Sequence, residues 1–143
     1  MPPSADSNET YRSPPGQTLA VVAESLYLLN LLLAPGLAFV ALVVVYLRTV
    51  RTAPPLAVCH LRQTLSASLW AGVILVIINA SIVVFGGYDA PYTWMFVVLY
   101  FTACHSVLIF LGMMGLAKAM AGKAWRYPLV GRACPEMQAG RQQ

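Results

Sequence analysis

Two Cys-His dipeptides, Cys59-His60 and Cys104-His105, join thiol to imidazole, the side chains that most often hold zinc, copper or haem iron. Neighbours on a helix point about 100° apart, so neither dipeptide chelates by itself. Measured from the same membrane face, His60 stands about four residues outside the second apolar stretch and His105 about eleven residues inside the third, a separation on the order of 20 Å along the membrane normal. These positions predict no metal or haem centre within one chain, and no cofactor. The two glycine-flanked methionines, Met113 and Met114, face different directions on a helix and suit packing better than soft-metal transfer. No Ser-His-Asp set, carboxylate pair, phosphate-binding loop or zinc-protease motif occurs, so the sequence predicts no enzyme and identifies no small-molecule substrate.

The elements that must carry these residues are apolar. Of 143 residues, 59% are hydrophobic and 10% charged, with mean hydropathy +0.69, whereas an ordinary soluble domain is about 25% charged. The expectation is an all-α membrane protein with three transmembrane helices, at about 19–47, 64–85 and 92–116. Before them, residues 1–18 are rich in Pro, Ser, Asn and Gly and read as a disordered tail without the cationic start of a signal peptide. The first stretch as one helix would extend roughly 43 Å, beyond the roughly 30 Å of a hydrocarbon core. Its first turns, with Glu24, are therefore expected at the interface. Pro35-Gly36 predicts a kink in this helix, with a chain that doubles back there as the alternative. The cluster from Gly86 to Pro91 reads as a turn between the second and third helices.

The net charge is +4, and the cations sit beside the ends of the apolar stretches. Arg48, Arg51 and Arg62 occupy the first connection without an acid, and residues 117–143, a basic tail, carry Lys118, Lys123, Arg126, Arg132 and Arg141 against Glu136. The N-terminal tail and the Asp89 turn are each net negative. The positive-inside rule then gives N-terminus out and C-terminus cytoplasmic. No basic run interleaves with aromatics, so no nucleic-acid partner is expected. Cys59, Cys104 and Cys134 lack paired spacing and partly face the cytoplasm, so no disulfide is expected either.

Polar residues inside the apolar stretches are costly and need partners. His105 is expected to tie helices together through a neutral imidazole, with a proton relay as the alternative. Asn30 and Asn79 fall at similar depth and suggest an amide pair between helices. Glu24 reads as solvated at the interface, or as lining a cavity. On the cytoplasmic side, His60, Arg62, Arg126, Tyr127 and Arg132 form either an anchoring belt or a docking surface for an acidic partner or anionic lipid.

The runs His60-Leu61-Arg62-Gln63-Thr64-Leu65 and Lys123-Ala124-Trp125-Arg126-Tyr127-Pro128-Leu129, followed by Arg132, carry a resemblance. Together with the Pro-Gly of the first helix, they resemble the bacterial domain-of-unknown-function family forty-eight-seventy across residues 25–132. That family comprises small three-helix membrane proteins distantly similar to the chloroplast import family Tic-twenty. The family commonly has Asn, then aromatic and amide residues, one turn into the second helix; here stand Ser66, Ala67 and Ser68. The resemblance implies a fold and carries no reaction.

The functional expectation is a small structural or accessory component of a larger membrane assembly, in contact with the lipid bilayer and with another membrane protein or a second copy. The alternative is a homo-oligomeric transporter or channel with His105, Asn30, Asn79 and Glu24 along the path. A haem- or metal-binding electron-transfer subunit is the weaker alternative.

Overall fold

The computed structural model describes residues 13–85, 87–128, 131 and 134. Its regular elements are four helices: α1 (Gln17–Leu32), α2 (Leu37–Thr49), α3 (Pro55–Val84) and α4 (Thr93–Met120). Among the described residues there is no strand. α3 and α4 are the two helices long and apolar enough to cross a membrane.

The stretch expected as one kinked helix over 19–47 is instead two helices. Pro35 has no backbone N–H to continue a helix, and Gly36 adopts φ 88° and ψ −53°, a conformation that side-chain-bearing residues avoid. Asn30 Oδ1 accepts the Gly36 N–H at 3.0 Å, which satisfies a donor left over at the break. Beyond it the chain reverses. Ala23 of α1, Leu42 of α2 and Leu61 of α3 form one buried cluster, flanked by Leu19, Leu26, Val45 and Tyr46, so that α2 returns along α1. With 16 and 13 residues, the two helices measure about 24 and 20 Å, each shorter than a hydrocarbon core of about 30 Å.

The start of α3 also differs from the expectation. Pro54-Pro55 opens the helix rather than a loop, since Pro at the first helical position removes an N–H that has no partner there. Residues 55–63, expected outside the second helix, are its first turns. α4 runs one turn past the expected end, to Met120, and α1 begins at Gln17.

α1 is the central element and lies between α3 and α4, which touch each other little. Its start meets the start of α3, with Gly16 against Pro54 and Ala57, and the end of α4, where Gln17 Nε2 donates to the Met120 carbonyl at 2.5 Å. α1 is therefore parallel to α3 and antiparallel to α2 and α4. Close approach to α4 depends on two glycines: a Cβ at Gly112 would stand 2.7 Å from the Tyr27 ring, and one at Gly115 would stand 2.5 Å from the Glu24 carboxylate.

Burial is confined to one end of the bundle. It takes in Ala20, Ala23, Glu24 and Tyr27 of α1, Ala38 and Leu42 of α2, the first turns of α3 from Leu56 to Ser68 apart from Arg62 and Leu65, Gly112, Gly115 and Ala119 of α4, and Tyr127 and Cys134 beyond it. The other halves of α3 and α4 are bare, with Leu75, Val76, Val83, Trp94, Phe96 and Leu99 exposed. Between them, past the tip of α1, lies an apolar cleft of about 470 Å³.

A side chain at position 36 tests the reversal. Gly36→Val should lower stability by about 1–3 kcal/mol, the usual cost of a residue held in a sparsely populated region. It would be read as a lower thermal midpoint in detergent, and an unchanged midpoint would mean that the positive φ carries no strain.

Candidate functional site

Glu24 and His60 meet at the buried end. Glu24 lies on the face of α1 that also presents Ala20, Ala23 and Tyr27, and His60 lies in the second turn of α3; both are 0% exposed. His60 Nδ1 is 2.7 Å from Glu24 Oε1. The other carboxylate oxygen, Oε2, accepts the Tyr127 hydroxyl at 2.6 Å. His60 Nε2 stands 3.1 Å from the Lys123 carbonyl. A carbonyl only accepts, so Nε2 carries a proton and donates. The Thr64 hydroxyl donates to the His60 carbonyl at 2.9 Å and closes this turn of α3.

These outer bonds fix the protons of the pair. With Nε2–H committed to Lys123 and the phenol proton committed to Oε2, one proton remains for Nδ1 and Oε1 to share. The pair is then imidazolium with carboxylate, or imidazole with carboxylic acid, and it is neutral overall in both forms. Such neutrality lets two ionisable groups sit without water, because each supplies what the other lacks.

Tyr127 closes the site from the segment after α4. Its ring meets that of Tyr27 edge-on, with centroids 5.8 Å apart, and the Tyr27 hydroxyl donates to the Leu108 carbonyl at 3.3 Å. Burial first, and then the charge and hydrogen bond of Glu24, push the Tyr127 phenol above its ordinary 10.0. A disulfide between Cys59 and Cys134 fastens the same segment to α3. This corrects the expectation of unpaired cysteines: residues 75 positions apart meet because the tail folds back onto the start of α3.

Three of the residues singled out in the sequence, Glu24, His60 and Tyr127, therefore come together, although none was expected at this address. Glu24 is not solvated at an interface. His60 and Tyr127, 0% and 1% exposed, lie inside and do not form a docking surface. Arg62 is exposed on α3; Arg126 is exposed and donates Nε–H to the Gly131 carbonyl at 3.2 Å. Arg132 lies outside the described residues. The Asn30 and Asn79 amides do not pair. Asn30 serves the break at Gly36, while exposed Asn79 donates to the Leu75 carbonyl at 2.8 Å and accepts the Tyr88 hydroxyl at 2.6 Å. His105 is half-buried in α4, with its ring stacked on Phe101 at 4.8 Å. Among the described residues no hydrogen bond joins any two of His105, Asn30, Asn79 and Glu24, and no three His, Cys, Asp or Glu side chains converge as metal ligands do. The rule that a lone ionisable group in an apolar setting finds a partner applies to Glu24 and His60 as well as to His105. In sequence the rule is hidden at His60, because the first turns of α3 read as a loop.

Removing one member of the pair leaves the other buried alone, so Glu24→Ala or His60→Ala should cost about 3–5 kcal/mol in thermal or denaturant unfolding. Tyr127→Phe should cost about 1–3 kcal/mol, the desolvation of an oxygen left without its donor. The Tyr127 phenol is raised in the folded state, so its contribution is complete below pH 10.0 and is lost as pH rises further. Tyr127→Phe should accordingly make the alkaline loss of stability shallower, and an unchanged alkaline profile would remove Tyr127 as its source.

Comparison of the chain with family models, curated proteins and solved structures gave no match.

Proposed function

We propose that the chain is a small, non-enzymatic integral membrane protein, a structural or accessory component of a larger assembly in the bacterial cytoplasmic membrane. In this reading α3 and α4 cross the bilayer, and α1 and α2 enter and leave from one side as a re-entrant hairpin. Both ends of the chain then lie in the cytoplasm, rather than on opposite sides.

The distribution of charge supports this reading most strongly. The start of α1, the α2–α3 connection and the end of α4 share one end of the bundle. The described cations, Arg48, Arg51, Arg62, Lys118, Lys123 and Arg126, belong to that end, whereas the α3–α4 connection carries Asp89 alone. Such a bias puts the basic end in the cytoplasm. None of the six is in an ion pair among the described residues, and this leaves a cationic face for an acidic protein segment or anionic headgroups. The transport reading draws no comparable support, because Glu24 is sealed by Tyr127 and His60 while Asn79 lies on the bare half of α3. The resemblance to family forty-eight-seventy stays part of this proposal, since two of the residues that carry it, His60 and Tyr127, both contact Glu24.

Reporter fusions should find both ends in the cytoplasm, and mild detergent extraction should return the chain with a partner. Arg62→Glu combined with Arg126→Glu should release that partner, as should raised salt, at about 1 kcal/mol per charge. A chain recovered alone, or ends on opposite sides, would overturn the reading.

A further inference from the structure

Cys59 immediately precedes His60, and Cys134 lies beyond Tyr127 on the segment that closes the site. The bond between them therefore does more than join two distant residues. It holds in place the stretch that brings the Tyr127 hydroxyl to Glu24 Oε2. Both cysteines are 1% exposed. The same end of the bundle carries the basic residues and, on the function proposed above, faces the cytoplasm. Thiols there are kept reduced, and disulfides that do form are transient and respond to oxidants. A buried disulfide at a reducing face, beside a buried ionisable pair, is the arrangement of a latch.

We propose that Cys59 and Cys134 are a redox latch, open as two thiols in the resting cell and closed to the disulfide by exchange with a low-molecular-weight disulfide. Exchange begins at Cys134, which is on the tail, whereas Cys59 is built into α3 and covered by that tail. The Cys134 thiolate attacks one sulfur of the small disulfide, forms a mixed disulfide and releases one small thiol. The Cys59 thiolate then attacks the Cys134 sulfur and displaces the second small thiol. The two cysteine protons end on the two released thiols, so the protein is oxidised by two electrons and the small disulfide is reduced by the same two. Closure ties the segment that follows Tyr127 covalently to α3 beside the Glu24–His60 pair, and reduction removes that tie. Cys104, half-buried in α4, takes no part and serves as an internal reference.

The test uses the full chain in cells quenched with acid, denatured and treated with a polymer-tagged maleimide that adds a visible mass to each free thiol. All three cysteines should be tagged in resting cells. After brief exposure of the cells to diamide, which oxidises small intracellular thiols to their disulfides, only Cys104 should be tagged. Cys134→Ser should remove the shift. In membranes from oxidised cells, trypsin should cut at Lys123 and Arg126 more slowly than after reduction with dithiothreitol. A single tag in resting cells, three tags after oxidation, or cleavage indifferent to reduction would each overturn the latch. An Arg51→Cys variant, probed from outside with an impermeant maleimide, separates the two proposals. Labelling there removes the cytoplasmic placement and the latch with it, whereas protection together with a permanent disulfide removes the latch alone.

Discussion

Glu24 and His60 lie where water does not reach, and the proton they share governs what may surround them. Separately, each would carry an ionisable group into an apolar interior at a cost of several kcal/mol. Together they are neutral, on condition that the far oxygen and far nitrogen also find partners. That condition reaches through the molecule. It calls for a hydroxyl, which Tyr127 brings from beyond α4, and a carbonyl, which Lys123 offers just past the end of that helix. It also calls for α4 to pass so close to the carboxylate that only glycine fits at 115. The three chain segments that make the buried end are thus joined by polar chemistry, while aliphatic contacts such as Ala23–Leu42–Leu61 fill the space around it.

The second constraint is the backbone. A chain that turns around within hydrocarbon must satisfy its own N–H and C=O groups, because no water is there to do so. At the α1–α2 break, Asn30 takes the Gly36 N–H, the Ala34 N–H reaches the Leu29 carbonyl at 2.9 Å, and Pro35 offers no N–H at all. These bonds satisfy part of the break, and the side chains beside it that stand exposed, Leu32, Leu33 and Leu37, are apolar, as the re-entrant placement proposed for it requires.

The sequence disclosed the helical content, the two long apolar helices to within a turn at most ends, and the residues at which the first apolar stretch is interrupted. It did not disclose the angle of that interruption. Pro35 and Gly36 mark where a helix fails, but the direction the chain then takes is set by Ala23, Leu42 and Leu61 finding one another, which local sequence does not encode. The site was legible only in pieces. Hydropathy falls over residues 55–63 because His60, Arg62 and Gln63 are polar, so in sequence the start of α3 resembles a connection and His60 a surface residue. Glu24 reads as interfacial for a different reason: residues 19–47 taken as one helix are longer than the hydrocarbon core, which pushes the first turns out of it. Tyr127 looked like an interfacial aromatic until the fold carried it inward. The Cys59–Cys134 bond spans 75 positions and belongs to no spacing pattern; only the return of the tail makes it possible.

The short α1–α2 hairpin fills one half of the bundle and leaves α3 and α4 alone in the other. In cross-section the described chain is four helices thick at one depth and two at the other. Inserted as proposed, it would occupy more area in the inner leaflet than in the outer. Many copies gathered side by side would then press the two monolayers unequally, so that local crowding is coupled to the bending of the sheet that holds them.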